Sequence, residues 1–136
     1  MKKPLLILLC LIGLSAFNQA SAQHDLDIVN TTACKFLVYS ADFDLSTCLN
    51  SALTNTTAVP PGTALTVIHT PLPYQVVKVG VIDCSGVNFA TLYDYTPCGW
   101  GNNLTAIMPA TGCCPTGASL VFTPPTATTN AVLTIN

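Results

Sequence analysis

The stretch YQVVKVGVIDC, from Tyr74 to Cys84, decides how the rest of the chain reads. It is the longest β-branched apolar run in the sequence, and it ends on a cysteine. Strand side chains alternate faces, so Val77, Val79 and Val81 are expected to form a core stripe. Val76, Lys78, Gly80 and Ile82 then share the opposite face. A run apolar on nearly both faces belongs in the middle of a sheet. If the second face is left uncovered, Val76, Lys78 and Ile82 become a candidate partner interface, because exposed apolar patches mark contacts.

Immediately after this run, Ser85-Gly86-Val87-Asn88 leads into FATLYDY at 89–95. Two strong strand patterns joined by a short loop predict a hairpin. Upstream, LDIV at 26–29, CKFLVY at 34–39 and ALTVIH at 64–69 have the same character, with Cys34, Phe36 and Val38 on one face. Downstream come short strands at 104–108, 119–123 and 131–135. Pro60-Pro61-Gly62 and Pro124-Pro125 punctuate them. Segment 41–51 reads as a polar loop holding Asp42, Asp44 and Cys48, and TPCGWGNN at 96–103 as a Gly-rich loop anchored by Cys98. About eight short strands with turn chemistry between them predict an all-β domain. The expected form is a single disulfide-stapled antiparallel β-sandwich, immunoglobulin-like or jelly-roll-like, with a closed β-barrel as the alternative.

Residues 1–22 have the layout of a signal peptide: Lys2 and Lys3, an apolar run at 5–17, and Ala20-Ser21-Ala22 as a small-residue cleavage site. The style is that of bacterial exported proteins. The apolar run is about 13 residues, short of the roughly 20 that cross a bilayer. Cleavage after Ala22 is therefore expected to leave one domain, 23–136, with no transmembrane segment, secreted or kept in the cell envelope (periplasm or outer surface).

Charge narrows the function. The whole chain has a formal net charge of −2, and losing Lys2 and Lys3 takes it to −4. Only Lys35 and Lys78 then stand against Asp25, Asp27, Asp42, Asp44, Asp83 and Asp94, with no Arg and no Glu. Nucleic-acid binding neutralises phosphates with Lys and Arg, and adhesion to anionic membranes needs the same residues. Two lysines do not supply either. The polar surface must come from Thr, Ser and Asn, and Thr suits strands.

Cys34, Cys48, Cys84, Cys98, Cys113 and Cys114 form an even set in a small exported domain, the pattern of a disulfide framework. The equal spacing of 34 to 48 and of 84 to 98 favours local bridges, each worth roughly 3 kcal/mol by loop closure. Adjacent Cys113 and Cys114 are expected to reach two separate partners, which requires at least one local bridge to give way.

For chemistry, the sequence offers little. His69, Asp83 and Ser85 can be drawn as a triad, but no Gly-x-Ser-x-Gly elbow is present, and Asp83 with Ser85 suits a turn. Asp42 and Asp44 have the spacing of paired calcium ligands, and Ser46, Thr47 and Asn50 could add oxygens, but there is no EF-type Gly and no Glu, so a solvated acidic loop is the expectation. Zinc-knuckle spacing is missing, and no cofactor is expected. With a leader of bacterial style, the glycosylation sequons at Asn30, Asn55 and Asn103 read as coincidences of a Thr/Asn-rich surface.

The aromatics carry more. Phe89, Tyr93 and Tyr95 share one strand face, and Trp100 follows in the cysteine-anchored loop. One reading makes Tyr93, Tyr95 and Trp100 an exposed platform for stacking on sugars or proline-rich peptides. The other packs Phe89 and Tyr93 inward and uses Trp100 as a plug; aromatic pairs on one strand face usually do this. Together these features lead to the expectation of a non-catalytic exported module for binding or assembly, with a protein partner or a second copy. A glycan-binding module is the alternative, and a small secreted hydrolase comes third.

Overall fold

Alternation in the sequence is realised as strands. The computed structural model describes residues 25–67, 74–126 and 128–136, without the side chains of residues 50–55 and 74. The expected signal peptide at 1–22, His24 and His69 lie outside the described residues. The strands are β1 (Leu26–Asn30), β2 (Phe36–Asp44), β3 (Leu49–Val59), β4 (Thr63–Val67) and β5 (Tyr74–Asp83). After them come β6 (Phe89–Asp94), β7 (Asn102–Asn103), β8 (Thr105–Met108), β9 (Ala118–Thr123) and β10 (Ala131–Ile135), with a 3-10 turn at Thr96–Cys98.

They form two five-stranded sheets packed face to face, in the orders β4-β1-β10-β9-β8 and β3-β2-β5-β6-β7. The expected all-β sandwich is therefore observed, and the closed barrel is not. All pairings are antiparallel except β1 with β10, which run parallel. The chain passes from one sheet to the other four times: from β1 to β2, at the Pro60-Pro61-Gly62 turn from β3 to β4, from β4 to β5, and at Leu104 from β7 to β8. The core between the layers takes Leu26, Ile28, Leu120, Phe122, Leu133 and Ile135 from the first sheet. Phe36, Val38, Val59, Val76, Val79, Val81 and Leu92 face them from the second. Burying each such side chain contributes about 1.5–3 kcal/mol relative to leaving it in water. Among the described residues, no helix is long and apolar enough to cross a membrane.

Segment 41–51 corrects the sequence reading. It is not a loop: β2 runs on to Asp44, a tight turn follows, and β3 returns from Leu49. Asp42 is buried at 1% exposure opposite Val76, so the solvated acidic loop expected there does not exist. Asp44 instead caps the turn, accepting hydrogen bonds from the Ser46 backbone N–H at 2.8 Å and hydroxyl at 2.6 Å. β3 was hidden because its Thr/Asn alternation at a sheet edge resembles loop composition.

A bulge corrects the central strand. Lys78 pairs with Ala41 and Val76 with Asp42, so Val77 is the extra residue that β2 does not oppose. The bulge breaks the simple alternation. Val79 and Val81 face the core as expected, but Val76 replaces Val77 in the inter-sheet core. Val76, fully buried, cannot belong to an exposed patch with Lys78 and Ile82.

The disulfides also differ from the local pairing. Cys34 joins Cys114, Cys48 joins Cys98, and Cys84 joins Cys113. Neither the 34–48 nor the 84–98 bridge forms. As expected, Cys113 and Cys114 reach two partners, and together they tie the loop before β9 to the start of β2 and the end of β5. This staples one sheet to the other. The equal spacing misled because a strand lies between the members of each pair, β2 between Cys34 and Cys48 and β6 between Cys84 and Cys98, and carries them to opposite ends of the sheet. Three disulfides are the chemistry of an oxidising compartment.

Candidate binding face

The β5–β6 hairpin is closed by its own turn residues. The Asp83 carboxylate accepts from the Ser85 hydroxyl at 2.6 Å, the Ser85 N–H at 3.1 Å and the Asn88 amide at 2.8 Å. Gly86 sits at φ 72°, and its N–H bonds the Asp83 carbonyl at 3.0 Å. Asp83 and Ser85 are thus turn-builders, as their side-chain chemistry suggested. Burial raises the Asp83 carboxyl, but the bonds from Ser85 and Asn88 outweigh it and hold it below the usual carboxylate range.

This hairpin fixes the register of an outer face, the side of the second sheet turned away from the core. Ile82 pairs with Phe89, Gly80 with Thr91 and Lys78 with Tyr93. On the other flank Ile82 pairs with Leu37, Gly80 with Tyr39 and Lys78 with Ala41. At one end the Tyr39 and Phe89 rings stack at 5.6 Å and 5°. Tyr39 lies directly over Gly80, where any Cβ would collide with the ring. Only glycine allows that approach.

At the other end is a larger cluster. Tyr93 and Tyr95 stack at 5.0 Å, Trp100 stands edge-on to Tyr95 at 5.8 Å, and Phe43 touches both Tyr95 (5.3 Å) and Trp100 (6.1 Å). Phe43 is 1% exposed and Val77 3%, yet neither belongs to the inter-sheet core. Phe43, buried and in contact with Tyr95 and Trp100, therefore backs that end of the cluster. Burial beside Tyr93 pushes the Tyr95 hydroxyl above the ordinary tyrosine value.

The Trp100 loop is held rather than loose. Asp94 accepts from Thr96 N–H and Oγ at 3.0 and 2.6 Å, opening the 3-10 turn. The Tyr95 carbonyl accepts from Cys98 and Trp100 N–H, and Tyr95 N–H bonds Gly101. Gly99 closes the turn at φ 76°, and Cys48–Cys98 pins the loop to the β2–β3 turn. Cys48 itself sits at φ 55°, a position that non-glycine residues seldom take.

The structure brings Tyr93, Tyr95 and Trp100 together, and puts Lys78 and Ile82 on the same face. Phe89 and Trp100 are 54% and 55% exposed, so the inward-packed reading of these rings is wrong; Leu92 and Ala90 are the β6 residues that meet the core. Tyr39 and Phe43 escaped the sequence reading. Tyr39 alternates with Phe36 and Val38 and was detectable as an outward ring; Phe43 was not, since the bulge changes its context. Among the described residues no group of three or more His, Cys, Asp or Glu could hold a metal ion. The Asn30 sequon is buried, its amide bonding the Cys34 and Pro60 carbonyls at 2.8 Å each. No family model matches the chain, and comparison finds no similar curated protein and no similar solved structure.

Proposed function

We propose that this is a non-catalytic, exported binding module that works through the outer aromatic face of its second sheet. The observation carrying the proposal is the exposure of Phe89 and Trp100 on one face with Tyr39, Tyr93 and Tyr95, on a rigid and disulfide-pinned support. Rings held in place lose little freedom on binding, and flat Tyr and Trp surfaces with polar tips suit the apolar faces and hydroxyl rims of sugars. A glycan is accordingly the ligand class. Asp83 and Ser85 are committed to a turn, which removes two members of the drawn triad from catalytic duty. The leader-like sequence and the disulfides support export to periplasm, outer surface or medium.

Affinity electrophoresis in gels containing polysaccharides tests the proposal. The wild type should be retarded in at least one, and Trp100→Ala should migrate freely with its thermal unfolding unchanged. Equal retardation of both proteins would sink it.

One observation favours assembly as a second reading. Ile107 on edge strand β8 is 85% exposed, beside exposed Val121 on β9. Exposed apolar edges invite strand pairing between copies. Light scattering that shows a strict monomer at high concentration would dispose of it; a larger species abolished by Ile107→Lys would support it.

A further inference from the structure

Charge is segregated on this molecule. The described chain has two lysines, and both lie on the aromatic face. Lys78 is placed there by its pairing with Tyr93 and Ala41. Lys35, one residue before β2, shares the parity of Leu37 and Tyr39. It lines an open depression of about 400 Å³ with Leu37, Ala58 and Ile82. No aspartate projects from that face. Asp42 and Asp94 alternate onto the opposite side with Val76 and Leu92, and Asp44 is turned the same way and caps its turn. Asp83 borders the depression, but its carboxylate is buried in the hairpin turn. Asp27 sits on the other sheet, bonded to Thr66 and Asn130. A protein with six aspartates and two lysines beyond its leader therefore presents one locally positive, aromatic face.

The order along the strands is informative. Lys35 stands level with Cys84, since Phe36 pairs with Asp83. Six residues separate that level from Lys78, roughly 20 Å at about 3.3 Å per residue. Between them lies the Tyr39–Phe89 stack; Tyr93 stands level with Lys78, and Tyr95 and Trp100 come beyond it. Cation, rings, cation, rings is the sequence a ligand meets.

We infer that the face takes an extended anionic polysaccharide whose sugar rings carry carboxylates, as in uronic-acid polymers. The rings stack on sugar faces, and the two ammonium groups meet carboxylates spaced along the chain. This rests on the aromatic face being the glycan site, and adds the charge of the ligand. Nucleic acid fits less well, because two cations neutralise too few phosphates for useful affinity.

The test titrates the disulfide-oxidised protein and reads emission from Trp100, the single tryptophan. The probes are polygalacturonate, its fully methyl-esterified form, dextran and polyaspartate. Polygalacturonate should shift the emission at concentrations about tenfold lower than its ester or dextran requires. Lys78→Gln and Lys35→Gln should each weaken it about tenfold, the effect of one charge-assisted hydrogen bond. Neither substitution should change the melting temperature, because both side chains are on the surface. Equal binding of the neutral polymers, or unchanged affinity in both variants, overturns the charge assignment while leaving the glycan reading intact. Polyaspartate binding as well as polygalacturonate overturns the sugar assignment. If none of the sugars binds, both readings fall.

Discussion

Gly80 shows how one residue serves the face more than the fold. Its missing Cβ is what allows Tyr39 to lie flat across β5 and meet Phe89. The colliding atoms are the far end of a side chain, so Gly80→Ala is accommodated by swinging the ring away. Stability should change by less than about 1 kcal/mol, while affinity for the proposed polysaccharide falls severalfold. Parallel denaturation and binding curves check this; a large stability loss with intact binding would reverse the assignment. Asp83 and Asp44 give a pH prediction. The hydrogen bonds on Asp83 exceed the opposing effect of its burial, and Ser46 lowers Asp44, so both titrate below the ordinary value of 3.8 when folded. A depressed folded value means their stabilisation is present above that pH and lost as pH falls through the folded values. Denaturant midpoints should thus be flat from neutral to about pH 4–5 and decline below it, and Asp83→Asn should flatten the decline.

Among the elements, the β5–β6 hairpin was legible and the β2–β3 hairpin was not. The β5–β6 hairpin stood in the sequence because 85–88 carries turn residues between two strong alternating runs. The face assignment of 74–84 was half right, because a bulge at Val77 carries no local signature and reverses the parity of Val76. β3 went unread since its edge position lets Thr and Asn replace apolar residues. The disulfides were unreadable for a different reason: their partners meet only in the folded chain, two pairs across the sheets and one within the second sheet, at separations of 80, 50 and 29 residues. Of the site, the Tyr93, Tyr95 and Trp100 group was visible; Tyr39 and Phe43 come from β2, which meets β6 only through β5. Cys48–Cys98 links these levels, since it anchors the Trp100 loop over Phe43. Replacing both cysteines by serine should cost up to about 4 kcal/mol by loop-closure entropy. It should also move the Trp100 emission to longer wavelength as the loop loosens. An unchanged spectrum would show that backbone hydrogen bonds alone hold the ring.

For the whole molecule, the division of labour is between sheets. The first sheet packs the core and, through Cys113 and Cys114, fastens itself to the second. The second sheet gives its outer side to rings and lysines while its aspartates turn away. Such a body would need no moving part to bind the proposed polysaccharide along its strands. The most direct measurement compares wild type, Trp100→Ala and Ile107→Lys by affinity electrophoresis in a uronic-acid polysaccharide gel. Wild type and Ile107→Lys should be retarded alike, and Trp100→Ala should not be retarded. Retardation lost in Ile107→Lys but kept in Trp100→Ala would put the working surface on the other sheet and contradict the proposal.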